Sequence, residues 1–368
     1  MEQNQATGME ERPSGSDMLK TAILNKIISL RNISNVVPII SNALRVEQIF
    51  RNEKQITDLV AKIPPYTEEN LTIDEQLTKI WAEQIHYPMR DNHDLVRVAQ
   101  YYQVDQDGSD VAKEEYLEFL KMLLLSINEN RAGYEDFVSG HKKDAHMMSF
   151  SEIVKGLDYP QFPDGRADPL QLLAGLPFPI YITTSYHDFL ERALSAENKE
   201  PRTQVIFWET GREYDDAIAA KHYPDPSFNP TVANPAVYHL FGLDTYPGSL
   251  VLSEDDYMKF LISVVSDTDT QRPIVPPRLR RTLASSHLLL MGYHLRDWHF
   301  RVLFRFILNY RQSEVAKQGI FIQLKPQDDR HLLDYLQRYF NMKKFEIEWK
   351  SSEDFVQDLW EVWKGQQP

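Results

Sequence analysis

The chain contains no cysteine. This absence excludes disulfides, cysteine-ligated zinc, iron–sulfur clusters and thiol nucleophiles, because each of these needs the sulfur itself. It fits a reducing compartment, and we therefore expect a cytoplasmic protein with no metal site. Glycine is also scarce, with 14 among 368 residues, below the usual share of about 7%. Glycine-rich phosphate loops must therefore be few.

Positive charge is in short supply as well. The 40 Lys and Arg residues are outnumbered by 54 Asp and Glu residues, which gives a net charge of −14. A nucleic acid is therefore not expected as a direct ligand, because such binding depends on neutralising phosphates. No apolar run approaches the ~18 to 20 residues of a membrane helix, and no signal peptide follows the start. These features predict a soluble protein with no membrane partner.

Short apolar runs alternate with helical patterns along most of the chain, which predicts an α/β fold. Several runs are apolar on both faces, as in parallel strands covered by helices. The predicted strands are 36–40, 180–184, 204–208, 237–241, 250–252, 287–291, 320–324 and 345–349. The predicted helices between and after them include 41–60, 186–196, 254–265, 277–285, 297–310 and a last one from Ser352. Ser253 and the acids after it form a helix-capping signature.

Polar residues that packing does not require follow four of the predicted strands. In an open parallel sheet, ligands bind outside the carboxyl ends of the strands, so these loops are expected to line one crevice. They are Ser41–Asn42, Thr183–Asp188, His239–Gly242 and Gly292–Asp297. His239 stands in an otherwise apolar run, where it is either a general base or a buried histidine with satisfied hydrogen bonds.

The order of these motifs resembles the sirtuin-like NAD-consuming family, in the branch found in bacterial antiphage effectors. The resemblance runs from about residue 34 to about residue 312 and rests on four segments: Tyr181–Leu194, Tyr238–Gly242, Leu250–Tyr257 and Leu289–Trp298. It implies a Rossmann-like parallel sheet flanked by helices. We assign residues 1–18 to a disordered tail, 19–64 and 176–325 to this core, 65–175 to a mostly helical insert, and 326–368 to a C-terminal helix–strand–helix that completes the core.

The resemblance also implies catalytic residues. His239 matches the histidine of a His-x-x-Gly motif, which is the catalytic base in the family. Ser185 stands where the family has an asparagine that supports attack on the nicotinamide ribose, and a serine lacks the reach of an amide. Asn42 is the candidate replacement, with a structural helix cap as the alternative.

Six further residues are implied to contact the dinucleotide. Gly292 matches a glycine whose missing side chain lets the backbone approach the ligand, although a simple turn at the strand end explains it as well. Asp188 either orients His187 or binds a ribose. The alternative is a purely structural role, since an acid stabilises the N-terminus of a helix. The complete set is Ser41, Thr184, His187, Asp188, Gly292 and Tyr293.

Three functions follow from the resemblance. The first is an NAD hydrolase that releases nicotinamide and ADP-ribose in antiphage defence. Such an enzyme is expected to act as a homo-oligomer or with an ATPase, whether a separate partner or a fused module. The second is an NAD-dependent protein deacylase, although these enzymes generally carry a four-cysteine zinc ribbon that this chain lacks. The third is a nucleotide-sensing scaffold whose catalytic site has decayed.

Overall fold

The computed structural model describes residues 35–41, 56, 60, 71–129, 134–141, 147–157, 168–209, 220–267, 273–295, 297–311, 316–324 and 330–365. The predicted N-terminal tail lies outside the described residues, and so does most of the helix predicted after Ser41, including Asn42. Within that predicted helix, Ile56 and Val60 are described and are helical.

The described residues form a seven-stranded sheet in which every pairing is parallel. The strands are β1 (Val36–Ile40), β2 (Ile180–Thr183), β3 (Arg202–Val205), β4 (Ala236–His239), β5 (His287–Met291), β6 (Gly319–Gln323) and β7 (Phe345–Trp349). Their order across the sheet is β3-β4-β2-β1-β5-β6-β7. This confirms the predicted α/β fold with a Rossmann-like parallel sheet.

The direction in which the chain builds the sheet reverses at β1. From β1 the chain adds β2 and later β4 on one side, and then returns to add β5, β6 and β7 on the other. A reversal of this kind leaves a crevice between the loops that leave the two neighbouring strands. Here the reversal lies between β1 and β5, and the residues that follow these two strands are Ser41 and Gly292.

One predicted strand is wrong and three are displaced. Residues 250–252 form no strand and instead follow a short 3₁₀ helix, Pro247–Ser249. The backbone N–H of Leu252 donates to the Asp256 carboxylate (3.1 Å), so the chain here enters a helix cap rather than a strand ladder. The strands predicted at 204–208, 237–241 and 320–324 start and end earlier than expected, and the one predicted at 180–184 ends one residue earlier. The bounds of β1, β5 and β7 match the prediction.

Helices cover both faces of the sheet. Those before β2 are α1 (Ile73–Gln84), α2 (Leu95–Asp105), α3 (Ser109–Ile127), α4 (Tyr134–His141), α5 (Phe150–Gly156) and α6 (Pro169–Gly175). The later ones are α7 (Phe189–Ala196), α8 (Glu254–Ser266), α9 (Pro277–Ser285), α10 (Trp298–Tyr310), α11 (Arg330–Met342) and α12 (Ser352–Gly365). The predicted cap of α8 is confirmed, because the Ser253 side chain accepts from the Asp256 N–H and Asp256 in turn accepts from the Ser253 N–H.

Most of the core lies in two apolar layers, one on each face of the sheet, and a small third cluster consists of Val205, Leu243 and Tyr246. Alternate side chains of β1 enter different layers: Val36 and Ile40 face the layer that holds α1, α3, α5, α6, α7 and α12, whereas Val37 and Ile39 face that of α8 to α11. Strands enclosed on both faces read as continuous apolar runs, which explains why the central strands stand out in the sequence. Within the described residues, no helix is long and apolar enough to cross a membrane.

Candidate functional site

The loops that leave β1 and β5 contact each other directly. The Ser41 N–H donates to the Met291 carbonyl (3.1 Å), and the Ser41 hydroxyl donates to the Gly292 carbonyl. Ser41 is buried as a result. Two residues predicted to contact a dinucleotide are therefore brought together at the point where the sheet reverses direction.

The loops that leave β2 and β5 meet across the end of β1, which lies between these strands. The hydroxyls of Thr184 and Tyr293 are 3.1 Å apart and share a hydrogen bond. The Thr184 N–H also donates to the Ile40 carbonyl (3.0 Å). Since the Thr184 and Tyr293 side chains are both buried, this contact fixes the spacing of the two loops.

Gly292 is held by side chains on both of its backbone polar groups. Its carbonyl accepts from Ser41, and its N–H donates to the hydroxyl of Ser352 (3.0 Å), the first residue of α12. The φ angle of Gly292 is 78°, in the region that disfavours residues with a side chain. The prediction that its backbone contacts a ligand remains a prediction.

A small cleft, with room for about one water molecule, lies on the α7 side of the β1 and β2 ends. Its described wall has an apolar part formed by Ile40, Leu170 and Leu190. Its polar part consists of Ser41, Thr183, Ser185 and His187. Ligand sites are typically mostly apolar with a few converging polar groups, and this cleft has that composition.

His239 lies at the end of β4, outside the described cleft wall, with no exposed surface. Its Nδ1 is 2.9 Å from the Ser185 carbonyl oxygen, and its Nε2 is 2.8 Å from the Glu191 carboxylate. Both ring nitrogens are therefore engaged, as in a buried histidine with satisfied hydrogen bonds. Its assignment as the catalytic base remains a prediction.

The ion pair changes the protonation of both partners. Burial by itself disfavours the charged imidazolium, but the Glu191 carboxylate and the Ser185 carbonyl outweigh it and raise the pKa of His239. Burial by itself raises the pKa of Glu191. His239 and the Thr203 hydroxyl outweigh burial and hold the pKa of that carboxyl below its usual range. The charged form of the pair is therefore favoured in the folded protein.

Asp188 and Arg192 form an ion pair one turn apart on α7 (2.8 Å). Burial raises the pKa of Asp188 although Arg192 opposes the shift. The Asp188 N–H donates to the Ser151 hydroxyl (3.2 Å), and Arg192 donates to the Ser151 carbonyl. In this arrangement Asp188 anchors the loop after β2 to α5, and a contact with a ribose remains a prediction.

Asp244 links the loop after β4 to the same helix. Its carboxylate accepts from the Ser151 N–H (2.5 Å), and its own N–H donates to the Tyr186 carbonyl (2.7 Å). Burial raises the pKa of Asp244 to about 7, against the hydrogen bond from Ser151. Two loops at the carboxyl edge are thus tied to the helices that precede β2 through one buried acid.

This raised pKa predicts a pH-dependent difference between the protein and its Asp244→Asn variant. The pKa of Asp244 is about 7 in the folded protein and has the ordinary value of 3.8 in the unfolded chain. Between these two pH values the folded protein keeps a proton that the unfolded chain releases, so the free energy of unfolding falls as pH rises. Asn retains an acceptor for Ser151 but does not titrate. Between about pH 5 and pH 8 the wild type should lose about 2 to 3 kcal/mol relative to the variant. Urea unfolding at both pH values measures this difference, and an equal pH response of the two proteins would contradict it.

Comparison with known proteins adds one finding to this geometry. Residues 179–343 match the model of the SIR2-like domain family. The chain is similar to this family over that segment. The matched segment runs from just before β2 to just before β7, so β1 and α12 lie outside it. No curated protein matches the chain.

The described residues that the sequence predicted for an NAD site fall into three groups. Ser41, Thr184, Gly292 and Tyr293 meet at the end of β1, and Ser185 and His187 line the neighbouring cleft. His239 and Asp188 are engaged in ion pairs. Among the described residues, no group of three or more His, Asp and Glu residues is arranged to hold a metal.

Sequence reasoning missed Glu191 and Ser352. Glu191 lies on the buried face of α7, where an acid between apolar residues is a sign of a buried partner. Ser352 was predicted only to begin a helix. Its contact with Gly292 joins positions 60 residues apart, and no local pattern reveals it.

Proposed function

We propose that this protein binds NAD at the carboxyl edge of the sheet and hydrolyses the bond between nicotinamide and ribose. The observation that carries the proposal is the meeting of Ser41, Thr184, Gly292 and Tyr293 where the sheet reverses direction. Open parallel sheets bind nucleotides at this position. The match to the SIR2-like family independently favours NAD over other nucleotides.

The chemistry suits a site of this kind. Nicotinamide leaves as a neutral molecule, so the reaction needs no strong acid for the leaving group. The protein must position the ribose, exclude bulk water and stabilise an oxocarbenium-like state. A cleft with an apolar wall and several hydroxyls provides the surroundings for these tasks.

A second candidate function is NAD binding without turnover, as in a sensing or scaffold subunit. The geometry of His239 favours it, because the residue that the family resemblance makes the base is enclosed and bonded at both ring nitrogens. Protein deacylation with NAD is a third candidate, and it differs from hydrolysis by its need for an acyl-lysine peptide.

Nicotinamide release from NAD separates these candidates. The protein is incubated with NAD, alone and with the product of its genomic neighbour, with and without an acylated peptide. Release that needs no peptide is the expected result. Release only with peptide would indicate deacylation, and NAD binding without release in every assembly would indicate a sensor.

A matched pair of variants tests whether the cleft is the site. Ser185→Ala removes a hydroxyl from the cleft wall and should lower release on the order of tenfold, the equivalent of one lost hydrogen bond. Ser195→Ala makes the same change on the exposed surface of α7 and should leave release unchanged. Equal rates in both variants would place the reaction elsewhere.

We also propose that activity depends on assembly and serves antiphage defence. A homo-oligomer or an ATPase partner would complete or unlock the site and so keep a toxic NAD hydrolase silent at rest. Light scattering with and without the neighbouring gene product, together with the release assay on each species, tests this dependence. Equal specific activity in monomers and assemblies would contradict it.

A further inference from the structure

The outer side of α3 carries acidic charge between two exposed apolar side chains. Val111 and Met122 are exposed although they are apolar, and Glu114 and Glu115 lie between them. Residues three or four positions apart share one side of a helix, so these residues form one continuous surface. Two exposed acids precede α3 in the same part of the chain. We call this surface the acidic stripe, and it consists of Asp105, Asp107, Val111, Glu114, Glu115 and Met122.

The outer side of α11 has the opposite charge. Tyr335 and Met342 are 62% and 74% exposed, and Arg338 lies between them at the same helical spacing. Asp334 is the one acid within α11, and α10 contains none. We call this surface the basic stripe, and it consists of Leu332, Tyr335, Arg338, Met342 and Lys343.

The neighbouring helix extends the positive surface. Phe304 of α10 packs on Tyr339 of α11, with ring centroids 6.4 Å apart. Arg301 and Arg305 lie one turn apart on the exposed side of α10. Among the described residues, no ion pair involves Arg301, Arg305 or Arg338. A positive surface is therefore available to a partner, although the whole chain carries a net charge of −14.

The two stripes of one molecule cannot meet, because they belong to opposite faces of the sheet. Tyr116 and Leu120 of α3 pack in one apolar layer, whereas Leu336 and Phe340 of α11 pack in the other. Each helix therefore turns its outer side away from the sheet in a different direction. A contact between the stripes requires a second copy of the chain.

The stripes also match in length and in the order of their residues. At 1.5 Å per residue, Val111 and Met122 are about 16 Å apart along α3, and Leu332 and Met342 are about 15 Å apart along α11. In an antiparallel alignment that places Val111 on Met342 and Met122 on Leu332, the glutamate four residues after Val111 meets the arginine four residues before Met342. Both exposed apolar ends are covered, and opposite charges face each other between them.

We propose that the acidic stripe of one copy binds the basic stripe of a second copy. The contact is head-to-tail, so every bound copy still offers one stripe of each kind, and the assembly continues into a ring or a filament. Complementary charge sets the register and disfavours wrong partners. The inference extends the proposed dependence of activity on assembly, and it rests on that proposal only for its effect on NAD hydrolysis.

Charge reversal tests the contact in the full chain. Glu115→Arg and Arg338→Glu each place like charges opposite one another, and each should raise the concentration needed for assembly at least about tenfold. A mixture of the two single variants should assemble again, because every contact then joins opposite charges, and so should the double variant. Glu361→Arg makes the same charge change on the exposed side of α12 and should assemble like the wild type. Light scattering measures the mass of each species, and circular dichroism confirms that each is folded.

Several results would overturn the proposal. They are a wild type that stays monomeric at every concentration, an assembly that persists in both single variants, and a mixture that fails to assemble. Binding of the neighbouring gene product or of duplex DNA by a monomeric wild type, lost in Arg338→Glu, would assign the basic stripe to another partner. The masses are measured without NAD, so a failure of NAD hydrolysis would leave this test intact.

Discussion

Replacement of Glu191 by alanine is expected to cost about 3 to 5 kcal/mol in the free energy of unfolding. The carboxylate is buried and lies 2.8 Å from Nε2 of His239. Without it, a histidine with no exposed surface loses its charged partner, and a buried group left unpaired is costly. Urea denaturation followed by circular dichroism measures the loss.

A matched control separates this effect from the loss of any glutamate. Glu200 is exposed, and its carboxylate accepts from the Asn234 amide (2.9 Å). Glu200→Ala should therefore cost less than about 1 kcal/mol. Equal unfolding free energies in the two variants would contradict a stabilising pair in the core.

The same pair sets a pH window. The lowered pKa of Glu191 means that its contribution is present above the ordinary value of 4.5 and is lost as pH falls through the folded value. The raised pKa of His239 means that its contribution is present below 6.5 and is lost as pH rises through the folded value. The difference in stability between wild type and Glu191→Gln should therefore be larger at about pH 5.5 than at about pH 9.

Replacement of Gly242 by alanine is expected to cost about 2 to 4 kcal/mol. Its φ angle is +88°, and an added Cβ would lie 2.4 Å from the Ser249 carbonyl and 2.7 Å from the Leu250 nitrogen. Both neighbours are backbone, so neither can move aside as a side-chain tip would. Thermal unfolding of the variant measures the loss.

Gly140→Ala is the control for that change. Gly140 lies in α4 and would place its Cβ in open space, with nothing within 4 Å. Alanine there should be neutral or stabilise the protein by up to about 1 kcal/mol. Similar destabilisation at both sites would contradict a steric role for Gly242. It follows that the glycine of the His-x-x-Gly motif is required by backbone packing, whatever the role of His239 in chemistry.

The central strands were predictable because burial on both faces leaves a direct trace in the sequence. β1 and β5 are continuous apolar runs, and their bounds match the prediction. β3 is an edge strand whose first residues, Arg202 and Thr203, are at least partly exposed. The prediction placed this strand at 204–208, in the apolar run that continues beyond β3. Trp208 in that run is buried outside the strand, where its indole N–H donates to the Ser249 carbonyl.

The candidate site was predictable only in outline. Polar residues after strands marked the carboxyl edge, because parallel strands end on one side of a sheet. Which of them face the cleft depends on side-chain direction, and the partner of each depends on tertiary packing. The sequence predicted His239 as the base and His187 as a contact of the dinucleotide. In the structure His187 lines the cleft, and His239 is bonded to Glu191.

The position of β1 has a consequence for the SIR2-like segment taken by itself. Residues 179–343 include β2 and β5, which do not pair with each other but flank β1 on either side. A fragment cut at those bounds would keep both flanks and lose the strand between them. It would expose two unpaired inner edges, which are prone to aggregation. The segment that the family model matches therefore lacks the strand that makes the sheet continuous.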